Sequence, residues 1–476
     1  MMRYSLLLPL LLIGAGFRVE PDPCIKPLRA GTSVQGHVRV CPGRYRVPDP
    51  MERGVFIVAT SGTSLDLSGV TLESGDTNPA AFVGRGVVAR NVDSVSIHGG
   101  RVSGYRFGIW IEGGKGHRIE GSDLSGSRRQ ALQSTRTSYD ERDWLDIVRP
   151  DSFALYGAGL SLRRTIGASV ARVSAHDAQN GIALFESREA TIEDNDVRAN
   201  SGWGINLWHS SRNVIVRNRA GHNSRCESPA YSRGCDSAAL LLRQRSDSNF
   251  IADNELTWSG DGFFLSGHRP LLEPSIGNVV VRNDGSFAYH NAFESTFSAG
   301  NLFLENRADS SDYGFWLGYS RANRVERNTM VGSRVAAVAI EHGGRNVIAG
   351  NTIIGGAWGI HLFAPHEGDD PSSDSQVDDN TIVRVGRGLQ LERSHRIRVR
   401  GNLFDEVETA VTADSASADA ALEGNVFLRA SHWLIDAPAL SAGGNFWGSP
   451  GVDSTARQIH GNVTLMPWQS AAAAGY

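Results

Sequence analysis

Acid–base side chains cluster in the middle of this chain, each within three residues of Phe263, Phe293 or Phe315 in a short apolar run. If these runs are strands on successive layers of a repeat, about 4.8 Å apart, the ionisable groups fall within roughly 10 Å along the stacking axis. Paired carboxylates at such separations act as general acid and base, or as acid and nucleophile, in glycoside cleavage, and a histidine between them can transfer a proton. The predicted catalytic residues are Asp261, His290, Glu294 and Asp312.

The elements that must position these residues are the coils of a repeat, each marked by an asparagine that usually follows an Ile or Val by two or three residues. Most steps between successive asparagines are 20 to 23 residues, and three longer steps of 36, 29 and 29 residues contain stretches typical of inserted loops. A period in this range is typical of stacked units that bury an apolar face only together. The asparagines are Asn195, Asn218, Asn254, Asn283, Asn306, Asn328, Asn351, Asn380, Asn402, Asn425 and Asn445.

Within each coil, apolar residues alternate over short runs, such as Ile205–Trp208, and Gly, Asn, Asp or Ser separates the runs. This is strand periodicity, and the Leu-x-x-Leu-x-Leu run of leucine-rich repeats is absent from the sequence. We therefore predict an all-β chain that forms a single-stranded, right-handed parallel β-helix, a solenoid with an N-terminal cap. Asparagine fits its turns because its amide can bond to the equivalent amide of the next coil.

The repeat runs without a linker, so we predict one elongated domain. Its expected parts are an N-terminal cap at residues 17–54, the β-helix at 55–447, and a C-terminal cap and tail at 448–476. Insertions are expected near residues 128–160 and 224–236, and the first contains the charged stretch 139–144. Long insertions in compact domains are often functional.

Residues 1–16 resemble a secretory signal peptide, so we expect a secreted or periplasmic protein. The four cysteines agree with export, and pairing of neighbours, Cys24 with Cys41 and Cys226 with Cys235, is favoured over the other connectivities and over a metal site. The net charge is −4 and only two of the 47 basic residues are lysines, which argues against a nucleic-acid partner. After signal removal we expect a monomer without a membrane segment.

A second pattern predicts which side chains face outward. Each strand begins at a small residue, usually Gly, and the residue after each buried Ile or Phe must point away from the core. Aromatic residues at outward positions suit a long sugar polymer, because pyranose rings lie on aromatic faces while hydroxyl groups bond beside them, and Arg243 could hold a uronate carboxylate. The alternative is that the inserted loops cover this face. The predicted substrate-binding residues are Asn206, Trp208, Arg243, Phe264, Asn291, Trp316 and His361.

Candidate metal ligands occur in the C-terminal half, but their spacing is irregular. His342, His361 and His366 lack the i, i+2 or i, i+4 arrangement, and methionine is scarce, which disfavours a cuprous site. We therefore predict no metal site and no cofactor. The acidic loop His366–Asp370 leaves Ca²⁺ as an alternative.

With its asparagine-terminated coils, its Gly-Ile and Gly-Phe strands and its terminal Asn-Phe-Trp-Gly at 445–448, the chain resembles right-handed parallel β-helix proteins of the pectate-lyase-like superfamily. More narrowly, it is similar to the periplasmic copper-binding accessory proteins of nitrous oxide reductase maturation, a group described by carbohydrate-binding and sugar-hydrolase repeats. The resemblance covers residues 55–468 and implies secretion and, for many members, cleavage, epimerisation or binding of polysaccharide. The Asp-Pro-His element of alginate epimerases and the Asn-Thr-Asp and Gly-His-Gly elements of polygalacturonases are absent, so no residue roles carry over.

Two functions follow from these observations. The first is a secreted protein that binds an extracellular polysaccharide or modifies it by hydrolysis, elimination or epimerisation along the aromatic face. The alternative is a non-catalytic periplasmic or surface scaffold whose stacked face docks a protein partner. Fold alone does not choose between them.

Overall fold

The protein is described by a computed structural model that covers residues 24–135, 138, 140–149, 155–225, 234–268, 273–448 and 458–466. These residues form a parallel β-helix of three faces, which confirms the predicted all-β solenoid. The strands pair in parallel with the equivalent strands of the next coil, so residues more than 20 positions apart in sequence become neighbours along the axis.

The first face carries the longest strands and extends over the whole solenoid. Its register is regular: Phe263 lies opposite Phe293, and Phe293 lies opposite Phe315. From the N-terminus its strands are Thr32–Val34, Phe56–Val58, Arg85–Arg90, Phe107–Glu112, Ala158–Arg163, Asn180–Phe185, Trp203–Trp208, Ala238–Arg243, Asp261–Ser266, Asn291–Thr296, Tyr313–Gly318, the later part of Thr329–Glu341, the later part of Thr352–Phe363, Arg387–Glu392, Val407–Ala413, Ala430–Ser441 and Ile459–Thr464.

The second face consists of short strands that follow the first turn of each coil. They are His37–Arg39, Ser64–Asp66, Ser96–His98, Arg118–Glu120, Ser169–Ala171, Thr191–Glu193, Val214–Val216, Phe250–Ala252, Val279–Val281, Leu302–Leu304, Arg324–Glu326, Val347–Ala349, Gln376–Asp378, Arg398–Arg400 and Ala421–Glu423.

The third face is the least regular, because single bridges replace strands in its middle coils. Its strands are Gly43–Arg46, Val70–Glu73, Arg101–Ser103, the first parts of Thr329–Glu341 and Thr352–Phe363, Thr381–Val383, Leu403–Asp405 and Val426–Phe427. A small separate pair joins Ser372–Ser373 to Ser394–His395, and short 3-10 helices occupy Pro79–Ala81, Glu141–Asp143 and Gly234–Asp236.

The core is one continuous apolar column inside the three faces, running from Val34 to Trp447. Strand alternation sends one side chain in two inward, and equivalent rings of successive coils stack on one another. The rings of Phe293 and Phe315 are 4.9 Å apart, and those of Phe427 and Trp447 are 4.7 Å apart. Burial of this column supplies the main apolar stabilisation of the solenoid.

The predicted asparagine ladder is confirmed, and it lies within the wall of the solenoid. All eleven side chains are buried. From Asn218 onward each side-chain oxygen accepts hydrogen bonds from the asparagine of the preceding coil, whereas the oxygen of Asn195 accepts from Val173 N. Asn306, for example, accepts from the backbone and side-chain nitrogens of Asn283 and donates to Asn328 Oδ1 at 3.0 Å. A second, shorter ladder, which the sequence did not indicate, lies at the turn before the second-face strands, whereas the long ladder lies at the turn after them. It links Asn213, Asn249, Asn278, Asn301, Asn323 and Asn346.

A disulfide joins Cys24 to Cys41, as predicted. Cys41 lies within the first coil of the solenoid, whose strands Thr32–Val34, His37–Arg39 and Gly43–Arg46 pair with the next coil, so the β-helix begins before residue 55. Cys235 is also disulfide-bonded, but its predicted partner Cys226 lies outside the described residues, as do the signal segment 1–16 and the tail after residue 466. Within the described ranges, the helices are all too short to cross a lipid bilayer.

Part of the first insertion packs on the first face. Residues 140–149, which we name the cover, place Leu145 and Ile147 against Leu241 and Phe264. The cover is also held by hydrogen bonds from Leu145 N to Cys235 O at 3.3 Å and from Arg243 Nη1 to Asp146 O at 3.3 Å. The two inserted segments therefore meet above the same strands.

Candidate active site

The cover overturns the expectation that the aromatic face is open along its whole length. Arg243 is fully buried beneath the cover, and Phe264 is 4 % exposed in an apolar cluster with Leu145. These two predicted substrate-binding residues are instead part of a packed layer. An inserted apolar segment is most stable on the part of the sheet that presents outward apolar side chains. Coverage of this face by an inserted loop is the alternative that the sequence left open.

Asn206 and Trp208 are also buried, at 1 % and 6 % exposed. Trp208 is buried by its neighbours, because its ring stacks on Phe185 at 4.4 Å and on His209 at 3.7 Å. Outward side chains on successive coils lie so close together that large rings shield one another. The predicted sugar-contacting surface is therefore closed over these coils as well.

Three of the four predicted catalytic residues come together where the cover ends. Asp261, His290 and Glu294 each offer a ligand atom, and these atoms all lie within 4.8 Å of one another. His290 Nδ1 is 3.4 Å from Asp261 Oδ1. Strand register produces this cluster, because Asp261 and Asn291 begin paired strands and Glu294 points outward three residues further along.

Asn291, a predicted substrate-binding residue, connects the three groups. Its backbone N–H donates to Asp261 Oδ1 at 2.9 Å, its side-chain nitrogen donates to Glu294, and the same nitrogen lies 3.0 Å from His290 Nδ1. Asn291 is fully buried and its Oδ1 has no hydrogen-bond partner. It therefore acts first as a positioning residue within the cluster.

The electrostatic environment separates the roles of the carboxyl groups. Burial raises the pKa of Glu294 well above its ordinary value, and the nearby negative charges of Asp261 and Asp236 raise it further. Burial, followed by the charge of Asp261, also raises the pKa of Asp236 to about 7. Because its pKa is raised, Glu294 keeps its proton to higher pH than an ordinary carboxyl group, and next to an Asp261 that accepts a backbone N–H this suits general acid catalysis.

Asp236 is the part of this site that the sequence reasoning missed. It comes from the second insertion, directly after the disulfide-bonded Cys235, and the backbone carbonyl of Asp236 accepts a hydrogen bond from Trp203 Nε1 at 2.7 Å. Its position next to a cysteine in an inserted loop was the one sequence feature that could have pointed to Asp236. The repeat spacing could not show that this loop lies over the coil that contains Asp261.

The remaining candidates lie apart from the cluster. Asp312 forms an ion pair with Arg334 at 2.6 Å on the neighbouring coil. His361 is 6 % exposed, three coils from Glu294 along the face, and its Nε2 lies 3.4 Å from Glu392. Burial lowers the pKa of His361 despite that carboxylate. Both residues therefore have local partners of their own.

Trp316 is the predicted aromatic contact that stays partly open. It lies on the coil after Glu294, and its ring meets the edge of Tyr313 at 4.7 Å. Tyr313 in turn makes an edge contact with His290 at 6.0 Å. An aromatic surface thus begins at the exposed side of the carboxyl cluster.

The donor set could also hold a cation. Two carboxylates and one imidazole nitrogen within 4.8 Å of one another suit a divalent ion, and the unpartnered oxygen of Asn291 adds a further donor nearby. The set contains only oxygen and nitrogen donors, which fits copper(II) or zinc better than copper(I).

Comparison with known proteins gives the family. Residues 53–234 and 155–330 match the family described as the right handed beta helix region, and because these stretches together span more than half of the chain, the protein belongs to that family. Residues 246–464, which include the cluster, also match the family described as periplasmic copper-binding protein. No curated protein matches this sequence.

Solved structures share the architecture at low identity. The A-module of a mannuronan C-5 epimerase from Azotobacter vinelandii is 12% identical, covers 77% of this chain and 90% of its own, and has a TM-score of 0.49. A variant of the periplasmic alginate epimerase AlgG is 14% identical, with 80% and 84% covered and a TM-score of 0.43. The Dettilon tailspike protein is 13% identical, with 80% and 60% covered and a TM-score of 0.43. At these identities the likeness is one of fold only.

The raised pKa of Glu294 predicts a pH-dependent stability difference. The contribution of protonated Glu294 to stability is complete below its ordinary value of 4.5 and is lost as pH rises through the raised pKa of the folded state. Glu294→Gln cannot ionise, so its Tm should increasingly exceed that of the wild type as pH rises, when measured in chelator. The exposed Glu305→Gln is the control, because Glu305 forms only a surface ion pair with Arg327. A pH-independent difference for Glu294→Gln would contradict the assignment.

Proposed function

We propose that this protein hydrolyses glycosidic bonds of an extracellular polysaccharide at the cluster of Asp261, His290 and Glu294. The observation that carries the proposal is the buried carboxyl pair, whose closest ligand atoms lie within 4.8 Å and of which Glu294 has a raised pKa. Retaining glycosidases hold their two carboxyl groups about 5 Å apart, whereas inverting enzymes need about 6.5 Å or more to admit a water molecule. The short separation favours the retaining reaction.

In this reaction Glu294 donates its proton to the glycosidic oxygen as the bond to the anomeric carbon breaks. The carboxylate of Asp261 bonds to that carbon and forms a glycosyl ester. Glu294, now ionised, takes a proton from water, and the resulting hydroxyl displaces Asp261 and restores both carboxyl groups. The N–H of Asn291 and the ring of His290 hold Asp261 in position through both steps.

The charge of the site favours a neutral or amino-sugar polymer. The charged groups that act on Glu294 are Asp261 and Asp236, which would repel a uronate. Arg243, which the sequence offered as a uronate partner, is buried under the cover and donates to Asp146 O. Tyr313 and Trp316 provide the aromatic surface beside the acid. A secreted or periplasmic location agrees with such a substrate and with the description of the second matching family.

Substitution of the acid tests the proposal. Glu294→Gln and Asp261→Asn should each lower the release of reducing ends from a responsive glycan by about 100- to 10,000-fold, because each removes an acid, base or nucleophile. Wild-type activity should fall as pH rises through the raised pKa of Glu294, since the proton donor is lost. Glu305→Gln serves as the matched control. Full turnover by Glu294→Gln would dismiss the assignment, as would a wild-type protein inactive on neutral, amino-sugar and uronate polymers.

A second candidate function is binding of a divalent cation by the same three residues. It is favoured by the spacing of their ligand atoms and by the match of residues 246–464 to a copper-binding family. A bound cation would also offset the uncompensated negative charge of Asp236, Asp261 and Glu294. In that case the protein would carry or present a metal ion, and the scaffold alternative would gain support.

Metal titration distinguishes the two candidates. If the cation function holds, chelator-treated protein should bind copper(II) or zinc with one-to-one stoichiometry in calorimetry, and its Tm should rise. His290→Ala should abolish both effects, whereas His395→Ala, on the separate pair of short strands, should change neither. Equal binding by wild type and His290→Ala would refute a metal site at the cluster.

A further inference from the structure

A separate cavity lies at the other end of the same strands. It has a volume of about 620 Å³ and is lined by Phe297, Tyr319 and His342 together with Glu273, Arg321 and Asp369. This volume is within the range of pockets that hold small organic ligands. The three aromatic residues come from the turns that directly follow the first-face strands, whereas the carboxyl cluster lies near the strand starts.

Three rings form one wall of this cavity. Phe297 and Tyr319 stack at 4.8 Å with an interplanar angle of 15°, and Tyr319 and His342 stack at 4.6 Å with an angle of 22°. All three residues have left-handed backbone angles, with φ of 49°, 53° and 51°. Large side chains are costly in this conformation, where Gly or Asn would fit readily. Equivalent turn residues of other coils, such as Glu186 and Arg393, share this conformation, so the fold sets the backbone and the three stacked rings are what distinguish these coils.

Polar groups border the rings as they do in sugar-binding sites. Asp369 lies 3.6 Å from His342 Nε2, and His342 Nδ1 is 2.8 Å from Asp370 O, so the acidic loop is docked against the stack. On the other side, Glu273 pairs with His209 at 3.5 Å and with Arg245 at 3.6 Å. Aromatic faces with hydroxyl-binding carboxylates beside them suit a pyranose ring.

The cluster and the cavity lie at the two ends of the same first-face strands. Phe297 directly follows the strand that carries Glu294, and three residues of chain span at most about 10 Å. Trp316 lies between them on the next coil, and its Nε1 is only 3.0 Å from the position that a Cβ of residue 318 would occupy. Because residue 318 is Gly, the indole can lie across it, toward the end of the strand that leads to Tyr319.

We propose that the cavity binds a sugar residue of the same polymer, and that the polymer crosses the first face parallel to the strands, from the carboxyl cluster over Trp316 to the ring stack. This inference rests on the proposed function for the identity of the polymer. It differs from binding along the whole aromatic face, because the cover closes that face at Phe264. The carboxylates of Glu273, Asp369 and Asp370 make a neutral or amino sugar the better occupant.

Binding of oligosaccharides of increasing length, from neutral, amino-sugar and uronate series, to Glu294→Gln protein tests the proposal without turnover. In that background, Tyr319→Ala and Asp369→Asn should each weaken binding of long oligosaccharides by about tenfold and leave the shortest binders unchanged. Gly318→Val should do the same by displacing Trp316. Phe250→Ala, an exposed aromatic residue on the second face, is the matched control, and Tm values verify folding.

The outcomes separate this proposal from the preceding one. Unchanged binding of long oligosaccharides in both Tyr319→Ala and Asp369→Asn would overturn the cavity, even if turnover depends on Glu294. Length-dependent binding that requires Tyr319, in a wild-type protein without turnover, would support the cavity and overturn the hydrolysis. Absence of binding to every series would overturn both.

Discussion

The register between successive coils is the constraint on which every other feature depends. Because side chains alternate along a strand, a slip of one residue would move an entire coil's apolar residues out of the core and its site residues into it. Buried asparagine amides oppose such a slip, because an amide within the ladder accepts from the preceding coil through its oxygen and donates to the next coil through its nitrogen. An unpaired buried amide would be costly. Asn283 and Asn306 fix the coils that carry Asp261, Glu294 and Trp316 in this way.

The two insertions determine which part of the first face is open to a ligand and which side chains form the carboxyl cluster. The cover removes the outward side chains of the middle coils from solvent, while the second insertion adds Asp236 to the cluster. Three carboxyl groups in a poorly hydrated site cannot all be ionised at low cost, so a proton or a cation must occupy it. The proposed acid catalysis and the alternative cation site are two responses to the same excess of negative charge.

The periodic part of the molecule could be predicted from the sequence, and the non-periodic part could not. Spacing alone predicted the parallel β-helix, the long asparagine ladder and the meeting of Asp261, His290 and Glu294, because stacking makes equivalent positions neighbours. It did not reveal that Ala158–Arg163 is the first-face strand of a further coil, because the preceding insertion interrupts the period. The burial of Arg243 and Phe264 and the pairing of Asp312 with Arg334 depend on packing between segments whose relative positions no repeat specifies.

The proposed acid catalysis depends on the protonation state of the cluster. Difference infrared spectroscopy between the wild type and Glu294→Gln at neutral pH, in chelator, reports it most directly, because a protonated carboxyl group absorbs separately from a carboxylate. We predict that the wild type has more protonated-carboxyl absorbance than Glu294→Gln, in which Asp236, with its pKa raised to about 7, still contributes, and that this excess vanishes at high pH. A wild-type spectrum in which Glu294 contributes only a carboxylate band at neutral pH would contradict the central claim.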